Sequence, residues 1–303
     1  MIDCLVIGGG PAGVTAAIYL ARFHLSVRVV DAGQSRVTWI PRTHNHAGYP
    51  GGIPGTELLE RMRTQLAEFD VRVEDGLVEQ LERRGDTFAA TIATGETIEA
   101  RTVLLATGVV NNMPPVSPEL HAVAMARGLI RYCPICDGYE VTDKRVGVLG
   151  TSDHGMREAL FLRGYTREVT LIAHDGLHDL DQSCREKLDA AGIDYIDGPC
   201  TPIRVEGNEI VVGTSAGDRR FDSIYPALGS HIRSELAVSA GAEAAPADGC
   251  LVVDDHQMTS IPGLFAAGDV VKGLDQISHA MGEAGVAATK IRNLLDERQP
   301  IRR

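Results

Sequence analysis

Two glycine-rich strand-to-helix turns lie in this chain, and only the first is intact. Gly8-Gly9-Gly10-Pro11-Ala12-Gly13 follows the apolar run Cys4-Leu5-Val6-Ile7. It opens a helical pattern in which Val14, Ala17, Ile18 and Ala21 share one face. The next apolar run, Val27-Arg28-Val29-Val30, ends at Asp31. A glycine turn after a strand and before a helix, with an acid roughly 20 residues on, is the signature of a dinucleotide site. Gly8 permits the tight turn, Gly10 lets backbone approach a pyrophosphate, and Gly13 lets helix and strand pack closely. Pro11 and Ala12 begin the helix whose free N–H groups would face the phosphates. Asp31 would accept hydrogen bonds from the ribose hydroxyls.

The second turn, Gly150-Thr151-Ser152-Asp153-His154-Gly155, follows Val146-Gly147-Val148-Leu149. Gly150 and Gly155 keep the outer positions, but Ser152 stands where the middle glycine belongs. A side chain there pushes a pyrophosphate away from the backbone. Strand-then-helix alternation in both halves implies an α/β protein with parallel, doubly wound sheets. The spacing of Leu58, Leu59, Met62 and Leu66 predicts a helix over residues 56–69. Thr87–Ile92 and Ile210–Thr214 read as small antiparallel additions.

The chain has 303 residues, room for two domains. Its net charge of −12 argues against a nucleic-acid partner, because phosphate backbones select basic surfaces. No apolar run approaches the roughly 20 residues that span a bilayer. The chain opens on a strand pattern, so no signal peptide is expected, and the setting expected is the cytoplasm. Six cysteines are too sparse for a secreted disulfide scaffold. Cys4, in a buried-strand pattern, is expected to be inert packing.

Cys133-Pro134-Ile135-Cys136 can be a zinc half-site, two idle thiols or a redox pair. Structural zinc needs about four ligands, and no second Cys-x-x-Cys or spaced histidine pair accompanies it, so no metal is expected. The spacing suits a small reversible disulfide ring, and a following helix would favour the thiolate needed for exchange. Asp137 comes next and can relay a proton.

Tyr132-Cys133-Pro134-Ile135-Cys136-Asp137-Gly138 resembles the redox motif of the low-molecular-weight thioredoxin reductases, and the similarity runs nearly end to end. It includes the loop Asn45-His46-Ala47-Gly48-Tyr49-Pro50-Gly51-Gly52-Ile53 and the segment Ala106-Thr107-Gly108. It also includes Gly268-Asp269, followed by Gln276 and Ile277 at the start of a helix carrying Ala280, Ala284, Ala287, Ala288 and Ile291. In that family the aspartate of the Gly-Asp motif binds the flavin ribityl chain, and the following helix points its N-terminus at the ring. The resemblance therefore implies FAD, held by residues from both ends of the chain. It implies two Rossmann-like three-layer domains, the second inserted into the first. The FAD domain would be residues 1–113 and 232–303, with residues 114–231 as the inserted domain. The crossovers would be Asn112-Met113-Pro114-Pro115 and Gly229-Ser230-His231. It further implies that Cys136 faces the flavin, that Cys133 exchanges with the substrate disulfide, and that Asp137 is the general acid/base. The residues alone leave open which cysteine does which.

In the same family the inserted domain binds NADPH, and a His-Arg-Arg type segment grips its 2′-phosphate. Here Val169-Thr170-Leu171-Ile172 leads into Ala173-His174-Asp175. The cations are replaced by a carboxylate. The chain is thus similar to the members lacking NADPH motifs, which are diflavin-linked, ferredoxin-linked or dithiol oxidases. A second FAD in the inserted domain is one expectation. The others are an oxygen-using dithiol oxidase, an NADPH-dependent thioredoxin reductase and a non-enzymatic redox sensor. Expected partners are a thioredoxin-like protein or a small disulfide or dithiol, and a second copy of the chain in a homodimer. His279, on the helix after Gln276, is either a proton donor or an exposed surface histidine. The lone Trp39 either stacks on a ring or simply packs.

Overall fold

The apolar runs that precede the two glycine turns become central strands of two separate parallel sheets. The computed structural model describes residues 1–298. By internal contacts it divides into a first unit of Met1–Ile40, Ile53–Val110 and Ile232 onward, and a second of Pro41–Gly52 and Asn111–His231.

In the first unit the parallel strands run in the order Val73–Asp75, Val27–Asp31, Ile2–Ile7, Thr97–Leu105. Cys4, Leu5 and Val6 are fully buried, as expected of a strand covered on both faces. On its edge away from Ile2–Ile7, the long Thr97–Leu105 strand serves two further neighbours. Its first half pairs antiparallel with Thr87–Ile92, which turns back to Val78–Arg84. Its second half pairs in parallel with Leu264–Ala266, at Val103–Leu105. That last pairing joins the end of the chain to its beginning. The helix Pro11–Arg22 packs against the long helix Ile277–Arg298. Ala280, Ala284, Ala287, Ala288 and Ile291 are buried there, and small side chains let helices approach closely. The helix expected over residues 56–69 runs Gly55–Ala67, with Leu58, Leu59, Met62 and Leu66 buried.

The second unit repeats the plan with four parallel strands, in the order Asp194–Ile196, Val169–Ile172, Val146–Leu149, Ser223–Pro226. Helices Ser152–Leu162 and Gln182–Ala191 accompany it, and Asp181 caps the latter by accepting from the Cys184 N–H at 2.7 Å. The antiparallel addition around residues 210–214 is the middle strand, Glu209–Thr214, of a three-stranded sheet. Between the units the chain crosses twice, and the crossings pair with each other as Val109–Asn111 and Ser230–Ile232. Two Rossmann-like folds, one inserted in the other, are therefore present.

One segment sits apart from the expected boundaries. Pro41–Gly52 groups with the second unit although it falls between elements of the first. It lies outside both parallel sheets and carries bonds within itself. Arg42 Nη1 donates to the Gly52 carbonyl at 3.0 Å, Thr43 donates to Asn45 Oδ1 at 2.9 Å, and the His46 and Tyr49 rings stack. Among the described residues no helix is long and apolar enough to cross a membrane, and no cluster of side chains could hold a metal ion.

The glycine turn fixes how closely strand and helix approach. A Cβ on Gly13 would fall inside contact distance of the Gly8 carbonyl oxygen, which is backbone and cannot swing away. By contrast, a Cβ on Gly282, in the interior of Ile277–Arg298, meets nothing within 4 Å. Gly13→Ala is expected to lower unfolding free energy by about 3 kcal/mol. Gly282→Ala is expected to raise it by about 0.5–1 kcal/mol through helix propensity. Chemical denaturation of both variants checks the opposite signs.

Candidate active site

The first glycine turn gathers the sequence motifs of the first unit around one helix start. Gly8 has φ +112° and lies against the Ala106 backbone so closely that no Cβ fits between them. The Ala106 N–H donates to the Ile7 carbonyl at 2.8 Å, and the Ala267 N–H donates to the Leu105 carbonyl at 3.0 Å. Gly268 sits over the same helix, where a Cβ would lie 3.1 Å from Ala12 Cβ. Thr107 Oγ1 donates to the Arg233 carbonyl at 2.6 Å, and the Arg233 N–H donates to the Gly108 carbonyl at 3.0 Å. Gly8, Gly10, Pro11, Ala12, Gly13, Ala106, Thr107, Gly108 and Gly268 thus belong to one neighbourhood. Asn45, in the Pro41–Gly52 segment, belongs to the other unit.

The turn leaves the helix start without a side-chain cap. Helix Pro11–Arg22 starts with proline, its cap residue is Gly10, and no side chain caps it. Its first N–H groups and positive dipole end suit a pyrophosphate. Asp31 lies beside Gly9 and is buried, with its side chain 10% exposed. Arg63 Nη2 donates to Asp31 Oδ2 at 2.8 Å and to the Gly9 carbonyl at 3.3 Å. Arg63 Nε is buried without a partner, a donor facing no acceptor of this chain. Uncapped helix, paired acid and orphaned donor together fit the adenosine diphosphate half of FAD.

The other end of that site carries Asp269. Arg36 Nη2 donates to Asp269 Oδ2 at 2.8 Å and to Asp275 Oδ2 at 3.0 Å. Burial pushes the Asp269 carboxyl above the usual carboxylate range, against the pull of Arg36. Glu283 is also buried and raised by burial, and it accepts from the Gly268 N–H at 2.7 Å. His279 Nε2 lies 2.9 Å from Glu283 Oε1, and its side chain is 43% exposed. Gln276 and Ile277 lead into the helix, with the Gln276 carbonyl accepting from Ala280 N–H at 2.9 Å. Trp39 ends a short 3-10 helix, Arg36–Trp39, and is half-buried.

In the second unit Cys133 and Cys136 form a disulfide, with Cα atoms 5.2 Å apart. The other four cysteines, Cys4, Cys184, Cys200 and Cys250, are reduced and buried. Burial pushes the Cys4 thiol up to about 12, which keeps it protonated and unreactive. Cys133 caps the short helix Pro134–Asp137, and its Sγ accepts from the Cys136 N–H at 3.1 Å. Asp137 ends the same helix. Arg131 Nη1 donates to Asp137 Oδ2 at 2.8 Å, and the Tyr225 hydroxyl donates to Oδ1 at 2.9 Å. Burial nevertheless pushes the Asp137 carboxyl up, the largest influence on it.

The second glycine turn keeps its shape while changing its chemistry. Gly150 and Gly155 still pack closely, a Cβ on Gly155 meeting Gly150 carbonyl carbon at 3.0 Å. Ser152 has φ +58°, a left-handed conformation that glycine tolerates and serine resists. Asp153 sits in the first helical turn, which no side chain caps. His154 Nε2 lies 3.5 Å from Glu158, whose carboxyl is pushed up to about 7 by burial. After strand Val169–Ile172, Ala173 is buried and His174 Nε2 lies 3.3 Å from Asp175 Oδ2, with Asp175 76% exposed. Two of the nearby cations already have partners. Arg157 pairs with Asp153 at 3.1 Å, and Arg163 Nε donates to the Ala191 carbonyl at 2.8 Å.

Sequence patterns did not single out Arg36, Arg63, Arg131, Tyr225 or Glu283. Most of these partners sit away from the motif they serve, as with Arg36 and Asp269, 233 residues apart, whereas Arg131 is only 6 residues from Asp137. Only an arginine lying next to a glycine-rich or redox segment hinted at Arg36 and Arg131.

The pyridine nucleotide-disulphide oxidoreductase family matches residues 2–284. The chain is 32% identical to a thioredoxin reductase of Mycolicibacterium smegmatis, over 95% of this chain and 94% of that one. It is 33% identical to the bifunctional thioredoxin reductase/thioredoxin of Mycobacterium leprae over 89% of its own length, and spans 60% of that longer protein. The crystal structure of thioredoxin reductase from Streptococcus pyogenes MGAS5005 superposes with a TM-score of 0.88 at 29% identity, covering 98% and 99% of the two chains. With the glycine turn, the Gly-Asp segment and the cysteine pair in place, the chain belongs to the pyridine nucleotide-disulphide oxidoreductases and, among them, to the thioredoxin reductase-like flavin-dependent disulfide oxidoreductases.

Proposed function

We propose that this enzyme moves electrons between FAD, the Cys133–Cys136 disulfide and an external disulfide or dithiol, and that it uses NADPH poorly. FAD, when bound, supplies the two-electron carrier. Gly8, Gly10, Pro11, Ala12 and Gly13 would hold its pyrophosphate, Asp31 its ribose, and Asp269, Gln276 and Ile277 the ribityl and ring end. Ala106, Thr107 and Gly108 line the return of the sheet beneath it, and Asn45 is assigned to the flavin side by resemblance alone. Cys133 and Cys136 carry the exchange, and Asp137 carries the proton. A thioredoxin-like protein is the partner that the family supports, and the M. leprae relative bears both names in one protein. The resemblance adds a cytoplasmic homodimer to the same reading.

One observation carries the statement about NADPH: the turn that would receive it presents Ser152 at φ +58°, with carboxylates where cations would serve. Asp175 is exposed beside His174, and Arg157 and Arg163 are already engaged. A lost hydrogen bond to a charged group costs about 1.5–3 kcal/mol. Two missing arginines then weaken binding by roughly a hundred- to ten-thousand-fold.

A second reading places another FAD on the inserted unit. The retained outer glycines and the uncapped start of Ser152–Leu162 favour it. An oxygen-using dithiol oxidase is the variant of the same chemistry in which electrons leave the flavin for oxygen.

Anaerobic mixing with micromolar NADPH is expected to leave the flavin absorbance nearly unchanged over seconds; rapid bleaching refutes poor NADPH use. The double variant Ser152→Gly/Asp175→Arg is expected to raise the NADPH-dependent rate at least about tenfold by restoring one charge-assisted contact. Flavin released from purified protein distinguishes the two readings of the second turn. One equivalent per chain removes the second flavin, and two establish it. Hydrogen peroxide formed from a small dithiol in air identifies the oxidase, and its absence excludes that variant.

A further inference from the structure

The carboxylate beside the disulfide is gripped from two sides by residues that no motif includes. Arg131 Nη1 reaches Asp137 Oδ2 at 2.8 Å, both side chains about one-fifth exposed, at 19% and 23%. The Tyr225 hydroxyl reaches Oδ1 at 2.9 Å, and Tyr225 is fully buried. Arg131 is itself anchored. Its Nε donates to the Gly128 carbonyl at 3.0 Å, and Ser223 Oγ, 3.3 Å from that Nε, donates to the same carbonyl at 2.5 Å. Tyr225 stands in the core strand Ser223–Pro226, in register with Val148. One partner therefore comes from the segment just before Cys133, and the other from a strand 88 residues away in sequence from Asp137. The remaining charged group acting on Asp137 is Glu140, which opposes its ionisation.

We propose that Arg131 and Tyr225 are positioning residues that favour the charged form of Asp137 and orient it for proton transfer at the Cys133–Cys136 pair. The inference rests on reading Asp137 as the proton-transfer group. The exchange requires such a group. In the reduced enzyme one thiol loses its proton and attacks an external disulfide, whose S–S bond breaks and expels a thiolate. The second enzyme thiol then loses its proton and attacks the mixed disulfide, expelling the second thiolate and re-forming the Cys133–Cys136 bond. Two electrons pass from the enzyme dithiol to the external disulfide, and two protons pass from the enzyme thiols to the leaving thiolates. A carboxylate beside the pair can take each proton and return it. Burial works against the charged form of Asp137, the form that accepts a proton. Two donors on its two oxygens offset that burial and fix the direction of its lone pairs. Tyr225, whose hydroxyl burial pushes above the usual phenol range, stays protonated and keeps donating.

The test is the pH dependence of thiol release when pre-reduced enzyme meets hydroxyethyl disulfide in a single turnover. Tyr225→Phe removes a bond to the charged form, so the carboxyl keeps its proton to higher pH. The apparent pKa is expected to rise by about one unit, a tenfold change in the protonation constant. Arg131→Lys, which keeps charge and loses the planar fork, is expected to move it in the same direction. An aromatic nitrobenzoate disulfide expels a thiolate that needs no proton, so only proton abstraction from the enzyme thiols is left to Asp137, and its release rate is expected to change less in either variant than that of hydroxyethyl disulfide. Flavin absorbance and circular dichroism confirm folding, and phenylalanine preserves the shape of Tyr225. If Asp137→Asn abolishes the titration while Tyr225→Phe and Arg131→Lys leave it unmoved, the positioning role is wrong. If Asp137→Asn itself leaves the profile unchanged, the reading of Asp137 is wrong and the inference falls with it.

Discussion

The chain's first turn has no room for side chains, and the rest of the first unit is arranged around that shortage. Gly13 lies against the Gly8 carbonyl, and Gly8 lies against the Ala106 backbone. Helix Pro11–Arg22 can therefore begin directly at the end of the Ile2–Ile7 strand, with an uncapped N-terminus. The Thr97–Leu105 and Leu264–Ala266 strands then close beside it, and Gly268 packs on Ala12. A phosphate-receptive helix start, the return of the sheet and the Gly-Asp segment meet because three glycines allow one close approach. The second unit keeps the same close contact between Gly150 and Gly155 but sets Ser152 in a left-handed conformation beside it. Packing is preserved there while the chemistry of the turn changes.

A second theme is that each motif carboxylate is already held by an arginine. Asp31 is held by Arg63, Asp269 by Arg36 and Asp137 by Arg131. Their side chains are between 10% and 39% exposed, so the attraction is partly screened and partly offset by desolvation. Their value is orientation. A paired carboxylate has its oxygens aimed, and burial works against the charged form of Asp137 and Asp269. At Asp137 and Asp269 burial pushes the carboxyl up while the arginine pulls it down.

Much of this was legible in the sequence because it is local. Strand, glycine turn and helix follow one another within residues 2–22, and periodicity places Leu58, Leu59, Met62 and Leu66 on one buried face. The disulfide pair and its neighbouring acid are likewise adjacent in the chain. What stayed hidden is set by tertiary pairing. Nothing in the spacing of Tyr225 distinguishes it from any apolar residue of a buried strand, yet its hydroxyl reaches Asp137. Arg63 reads as one polar position on an amphipathic helix, and only the fold turns it toward Asp31. Pro41–Gly52 carries no periodicity at all, and its grouping with the second unit follows from contacts rather than pattern.

Anaerobic reductive titration with dithionite tests most directly whether flavin and cysteine pair form one electron store. A chain holding one FAD and the Cys133–Cys136 disulfide should take up four electrons, two on the flavin and two on the sulfur pair. The Cys133→Ser/Cys136→Ser variant should take up only two. A wild-type titration that ends at two electrons, with the disulfide intact by thiol counting, would contradict a flavin-linked disulfide exchange.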